Sequence, residues 1–213
     1  MNPLNPEAGD TPAPSDPKDL AAVERSAKII WRAFPYFAWR YGERGASFGR
    51  SDAGFLVTLA NLDHDAALWQ VLWLARLLAA RGMPSLLLEY QLESLGRVAL
   101  RGQRPGASRL RTLAEHLRRG RLAVLDASVA DECEQLCWTA ARRDRRRVGA
   151  GHLIASAVAD RVLGLGEHDQ ALVHWLSGTE PEDRAWARAC TAARALADAR
   201  LPPGGRPEGG HVA

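Results

Sequence analysis

Residues 66–80 read Ala-Ala-Leu-Trp-Gln-Val-Leu-Trp-Leu-Ala-Arg-Leu-Leu-Ala-Ala. Strong helix formers put apolar side chains on almost every face of this stretch, and only Gln70 and Arg76 interrupt them. A helix apolar all round belongs inside a bundle, so the stretch predicts an all-α fold with this helix wrapped by its neighbours. It is shorter than the about 20 residues a bilayer crossing needs and carries Arg76 near its end, so no membrane partner is expected.

Punctuation around the stretch supports helices on either side. Asp63 is placed to cap it, Gly82 to end it in a left-handed conformation, and Pro84 to open the first turn of a helix running to about Leu100. Upstream, Leu20, Val23, Ala27, Ile30, Phe34, Phe37 and Tyr41 recur at alternating gaps of three and four, the seam of a packed helix. Pro35 lies within that seam, and because the apolar phase continues through it, a kink is expected in preference to a break. A second helix is expected to start at Ser51 or Asp52. Further helices are read at 107–118, 121–146, 150–164, 168–177 and 180–200, the last opened by a Thr179/Glu182 capping box. The sum is a single bundle domain over 18–201, orthogonal or up-down, of roughly seven to nine helices and almost no period-2 alternation. Five prolines in residues 1–17 and the Pro/Gly-rich segment 202–213 read as disordered arms.

Composition narrows the class further. The chain has 213 residues, 46% hydrophobic and 25% charged, enough for a sizeable core. Three cysteines at no disulfide-framework spacing fit a reducing compartment, and the N-terminus shows no signal peptide, so a cytoplasmic location is expected. The 26 arginines against two lysines are as compatible with a GC-rich bacterial genome as with selection for guanidinium chemistry.

Candidate sites are each weighed beside a packing role. The segment Trp39–Asp52 interrupts the periodicity with three glycines, three arginines and three aromatics. There Arg44 and Arg50 are placed to hold an anionic group, beside the first-turn amides of the expected next helix. Glu43 and Asp52 would orient them, Arg40, Tyr41, Trp39 and Phe48 would surround them, and His64 would complete the surface. The same residues also read as a helix corner held by its own ion pairs. Glu89 and Glu93 carry inward-glutamate spacing, but no Glu-x-x-His accompanies them, and pairing of Glu93 with Arg97 on a solvated face is the simpler reading. Cys133 and Cys137 fall on an apolar stripe and read as core, and no metal site is expected. His168 lies on the Leu172, Trp175, Leu176 side of its helix and is a second candidate ligand.

Two rival functions remain open. Trp69, Trp73, Trp31 and Trp39 could wall a pocket for haem or another planar cofactor, although no cofactor is the plainer reading. Eight arginines between Arg97 and Arg121, with Arg142–Arg147, could meet nucleic acid, or could be neutralised by acids such as Asp126, Asp131, Glu132 and Glu134. No nucleophile–base spacing identifies a catalytic residue. The favoured reading is a binding, regulatory or accessory module for an anionic small molecule or a protein partner, possible as a homodimer.

Overall fold

A computed structural model describes residues 14–103, 106–141, 144–178 and 183–203. Nine α-helices occur among them: α1 Pro17–Ala33, α2 Pro35–Thr58, α3 His64–Ala79, α4 Ser85–Arg101, α5 Ala107–Val124, α6 Ala127–Ala140, α7 Ala150–Val162, α8 Asp169–Ser177 and α9 Arg184–Ala199. No strand occurs among the described residues. The fold is all-α, as the sequence predicts. Residues 1–13 and 204–213 of the expected arms, the Thr179/Glu182 box, and Arg104, Arg142 and Arg143 lie outside the described residues.

The helices form two compact units. One takes the chain up to Ala75 together with Leu86–Arg118; the other takes Arg76–Ser85 together with the chain from Arg119 on. In the first, α1 packs on α2. Ser26 and Gln91 join α1 to α4 through a buried hydrogen bond of 2.7 Å, donated by Gln91 Nε2. Phe34 and Tyr90 meet edge to face at 5.0 Å between ring centroids. In the second, α6 packs on α7 and α9, and α8 packs on the same two helices.

Several expectations need correction. The chain breaks at Pro35 where a kink was expected: Phe34 leaves helical space at φ −123°, ψ 84° and separates α1 from α2. The proline ring crowds the preceding residue out of the α region, and the seam's phase carries no force against that clash. No helix starts at Ser51 or Asp52. Gly42 (φ 55°, ψ −153°) kinks α2 into two helical segments, and the second runs through both positions. The expected helix at 121–146 is two, because α5 continues through Gly120 to Val124 and Asp126 then caps α6 by accepting the Ser128 amide at 2.8 Å.

The apolar stretch at 66–80 is not wrapped all round. Ala67, Val71, Leu74, Ala75 and Leu78 are buried, but Trp69 is 63% and Trp73 45% exposed. The wrapped helix is α7. In α7 every residue from Leu153 to Asp160 is buried, mostly small side chains that let neighbours approach on all sides. The N-terminus of α7 crosses α6 so closely that a Cβ on Gly151 would lie 2.3 Å from the Cys133 carbonyl carbon and the Glu134 nitrogen. Asp63 and Gly82 do what their types predict: the Asp63 carboxylate accepts the Ala66 amide at 2.9 Å, and Gly82 takes φ 78°.

Candidate functional site

One face of α4 carries Tyr90, Ser94, Arg97 and Arg101, spaced by four, three and four residues so that their side chains stack along a single stripe. Opposite them α1 presents Ile29, Ile30 and Ala33, and Arg118 reaches in from α5. The result is a cleft of about 380 Å³, also lined by Glu89, Glu93 and Val98. That size suits a small organic ligand, and its mix of an apolar wall with a few polar groups is typical of such sites.

Its charges are organised by pairing. Glu89 is 2% exposed, so the expectation of a solvated face for it does not hold. Arg118 Nε donates to its carboxylate at 3.1 Å. A buried carboxylate without a partner would be strongly unfavourable, and this bond, above all, holds the Arg118 guanidinium above its ordinary pKa. Glu93 pairs with Arg97 at 2.7 Å, as its four-residue spacing predicts, and lies 3.6 Å from Arg111 Nε. Two groups are left over. The buried Ser94 hydroxyl has no hydrogen-bond partner. Arg101, exposed at the end of the stripe, has no ion pair among the described residues.

The residues singled out around Arg40–Asp52 are placed along α2. Arg40 Nη1 donates to the Tyr36 hydroxyl at 2.8 Å, and its guanidinium lies 5.3 Å from the Tyr41 ring centroid. Arg44 stands 5.6 Å over the Phe48 ring. Arg50 donates to Ser47 Oγ at 3.3 Å and lies 3.7 Å from Glu24 of α1. Asp52 is half-buried in α2, Glu43 is exposed, and His64 is exposed in the first turn of α3. No first-turn amides are offered at Ser51 or Asp52, because Gly45 and Gly49 remain helical; the break lies at Gly42, and the second segment of α2 starts there, beside Glu43 and Arg44.

The arginines of the basic segments find acids other than those expected. Arg97, Arg111 and Arg118 use Glu93, Glu89 and Glu115, while Arg109 donates to the Ala60 carbonyl at 2.6 Å. Arg146 and Arg147 pair with Asp144 at 2.8 and 3.3 Å, and Arg147 also meets Asp183 at 2.5 Å and the Trp186 ring at 4.8 Å. Asp126 caps α6, and Glu132 pairs with Arg200.

Cys133, Cys137 and Cys190 are all buried and free, as a core role requires. Burial pushes the Cys133 thiol up to about 11, and hydrogen bonding to Cys190 together with burial raises Cys137 well above the ordinary thiol range. Protonated thiols are poor nucleophiles and poor metal ligands at neutral pH. Among the described residues no cluster of His, Cys, Asp and Glu is arranged to hold a metal. His168 closes the start of α8 and lines a cavity of about 10 Å³ with Asp160, Gly166 and Leu172, room for about one water molecule.

Glu134 and His152 form a separate polar knot in the second unit. The Glu134 carboxylate accepts the Gly149 and Gly151 amides at 2.8 and 2.9 Å, closing the N-terminus of α7 from α6. Burial pushes Glu134 upward, but hydrogen bonds from His152 and these two amides outweigh it and hold the carboxyl below its ordinary value. His152 is raised, chiefly by Glu134 at 3.6 Å from Nδ1. Asp131 is nearer, at 3.1 Å from Nε2, but is 76% exposed and screened by water. A raised histidine stabilises the fold most below the ordinary imidazole pKa of about 6.5, and the contribution disappears as pH rises through the folded value. His152→Gln is therefore expected to lose more stability relative to the parent at pH 5.5 than at pH 8.5. Urea denaturation of both proteins at the two pH values checks this; equal differences would remove the ion pair from the account.

The cleft was not anticipated: none of the expected site residues lines it. The spacing of Glu89, Glu93 and Arg97 reads as an ion-paired, solvated face, and Tyr90, Ser94 and the α1 wall were missed. The signal was there in the Tyr90, Ser94, Arg97, Arg101 spacing. Comparison of the chain with protein families, with curated proteins and with solved structures gives no match.

Proposed function

We propose that the protein is a helical binding module, regulatory or accessory in kind, that holds a small amphipathic anion in the cleft between α1, α4 and α5. The observation that carries this is the Ser94 hydroxyl, buried in the cleft and without a hydrogen-bond partner. A buried polar group left unmatched costs about 1–3 kcal/mol, and a ligand oxygen at that depth would relieve the cost. The apolar wall of Ile29, Ile30 and Ala33 suits a hydrocarbon body. Arg97, Arg101 and Arg118 against Glu89 and Glu93 leave one positive charge in excess, and Arg101 is the cation not already engaged.

The rival readings draw less support. Trp69 and Trp73 face solvent, so they do not wall a pocket for a planar cofactor. Of the ten described arginines in the basic segments, Arg97, Arg109, Arg111, Arg118, Arg146 and Arg147 bond to acids or a carbonyl of the chain itself, which leaves less free charge for nucleic acid. Free, buried thiols and a chain in which no described helix is long and apolar enough to cross a membrane support a role in a reducing, cytoplasmic setting.

Titration calorimetry with decanoate tests the reading. Binding is expected, with Arg101→Ala weakening it about tenfold, equivalent to about 1.4 kcal/mol. Ser94→Ala is expected to weaken binding severalfold while leaving the stability of the free protein unchanged or higher, because the hydroxyl it removes bonds nothing there. A loss of stability without a loss of affinity would make Ser94 a packing residue. Absence of decanoate binding at millimolar concentration would end the proposal.

A further inference from the structure

A second cavity, of about 280 Å³, adjoins the first and shares Val98 and Arg101 with it. Lys18 and Arg25 line it from α1, seven residues apart and so on the same face two turns along. Continuing that face brings Ile29 and Ala33, the wall of the first cleft. Small residues also line it: Ala22 and Ala99, which are buried, and the exposed Ala21 and Gly102. The two cavities thus follow α1 for the length of its Lys18–Ala33 segment, about 22 Å at the rise of a helix, basic at one end and apolar at the other.

Charge at the basic end is unbalanced. Lys18, Arg25 and Arg101 face Asp19, three cations against one carboxylate, for an excess of two. None of the three cations has an ion pair among the described residues. Resting on the cleft reading above, we propose that the second cavity is a head-group subsite: Lys18, Arg25 and Arg101 hold the phosphate of a phosphate monoester whose apolar chain lies along Ile29, Ile30 and Ala33. A monoester carries nearly two negative charges at neutral pH, matching the excess, and arginine binds phosphate oxygens through paired donors. A carboxylate supplies one charge and leaves half of the excess unmet.

Calorimetry on the full chain with decyl phosphate, decanoate and inorganic phosphate, in 150 mM salt, separates the possibilities. Decyl phosphate is expected to bind at least tenfold tighter than decanoate and far tighter than inorganic phosphate. In a chain carrying both Lys18→Ala and Arg25→Ala, the ratio of decyl phosphate to decanoate affinity is expected to fall to near one. Circular dichroism of that variant, altered only at exposed positions, confirms its helices. Equal affinities for the two amphiphiles, or a preference that survives the double substitution, would overturn the head-group subsite and leave the cleft standing. Inorganic phosphate binding as tightly as decyl phosphate would also overturn it, since the chain would then contribute nothing. If neither amphiphile binds, the cleft reading itself fails.

Discussion

Asp169→Ala is expected to destabilise the protein by about 3–5 kcal/mol, the range found when one member of a buried charge network is removed. Asp169 is 2% exposed, at the first turn of α8, and accepts from Arg194 Nε of α9 at 2.7 Å. Arg161 of α7 approaches its other oxygen at 3.6 Å and is also bonded to Asp198, which lies 3.6 Å from Arg194 Nη1. The side chains of Arg161 and Arg194 are only 14% and 25% exposed. Without Asp169, two poorly hydrated guanidinium groups would share Asp198 alone, and α8 would also lose an acid favourable to its N-terminal dipole. The cost lies in the stranded charges more than in the bonds. Replacing Asp169, Arg161 and Arg194 together by leucine or methionine is therefore expected to recover most of the loss. Urea denaturation of the single and triple variants measures both effects; a single-variant loss below about 1 kcal/mol would mean that water already reaches the network.

Gly151→Ala is the second large effect, and its sign runs against helix propensity. In an exposed helix interior, alanine in place of glycine gains about 1 kcal/mol. At Gly151 the new methyl would meet the Cys133 carbonyl carbon and Glu134 nitrogen at 2.3 Å and the Cys133 oxygen at 2.4 Å. These are backbone atoms of a packed helix and cannot rotate aside, so α6 and α7 must part. Parting them also draws the Glu134 carboxylate away from the Gly149 and Gly151 amides. A loss of about 3 kcal/mol is expected, a fall in Tm of about 6–12 °C by calorimetry for a chain of this size. Gly49→Ala provides the contrast: an added Cβ there meets nothing within 4 Å, so the ordinary gain should appear. Equal Tm values for Gly151→Ala and the parent would show that the crossing can relax.

Both positions show where sequence reasoning stops. Local chemistry was legible: the Asp63 cap, the Gly82 ending and the Glu93–Arg97 pair each involve residues within a few positions of one another. Glu89 and Arg118 are 29 residues apart, and nothing local marks the first as buried. The Glu89 and Glu93 spacing reads as a solvated face, yet Glu89, Gln91 and Ser94 are all buried, the first two of these with partners on another helix. The opposite error occurred in α3. A run apolar on every face does not say which face turns inward, and the smaller Ala67, Val71 and Ala75 took the interior while two indoles stayed outside. The cleft was hidden for the same reason as Glu89. One wall of it belongs to α1, where Ile30 reads as an ordinary seam residue and Ile29 and Ala33 lie off the seam until α4 is set beside them.

The exposed indoles also decide how this chain can be watched. Of its seven tryptophans only Trp186 is buried, at 1% exposed, and it lies 4.8 Å beneath a guanidinium. Trp69, Trp73 and Trp138 already sit largely in water, so any change in colour on unfolding reports Trp186 and the half-covered Trp31, Trp39 and Trp175. Helicity or calorimetry reports the state of the chain as a whole.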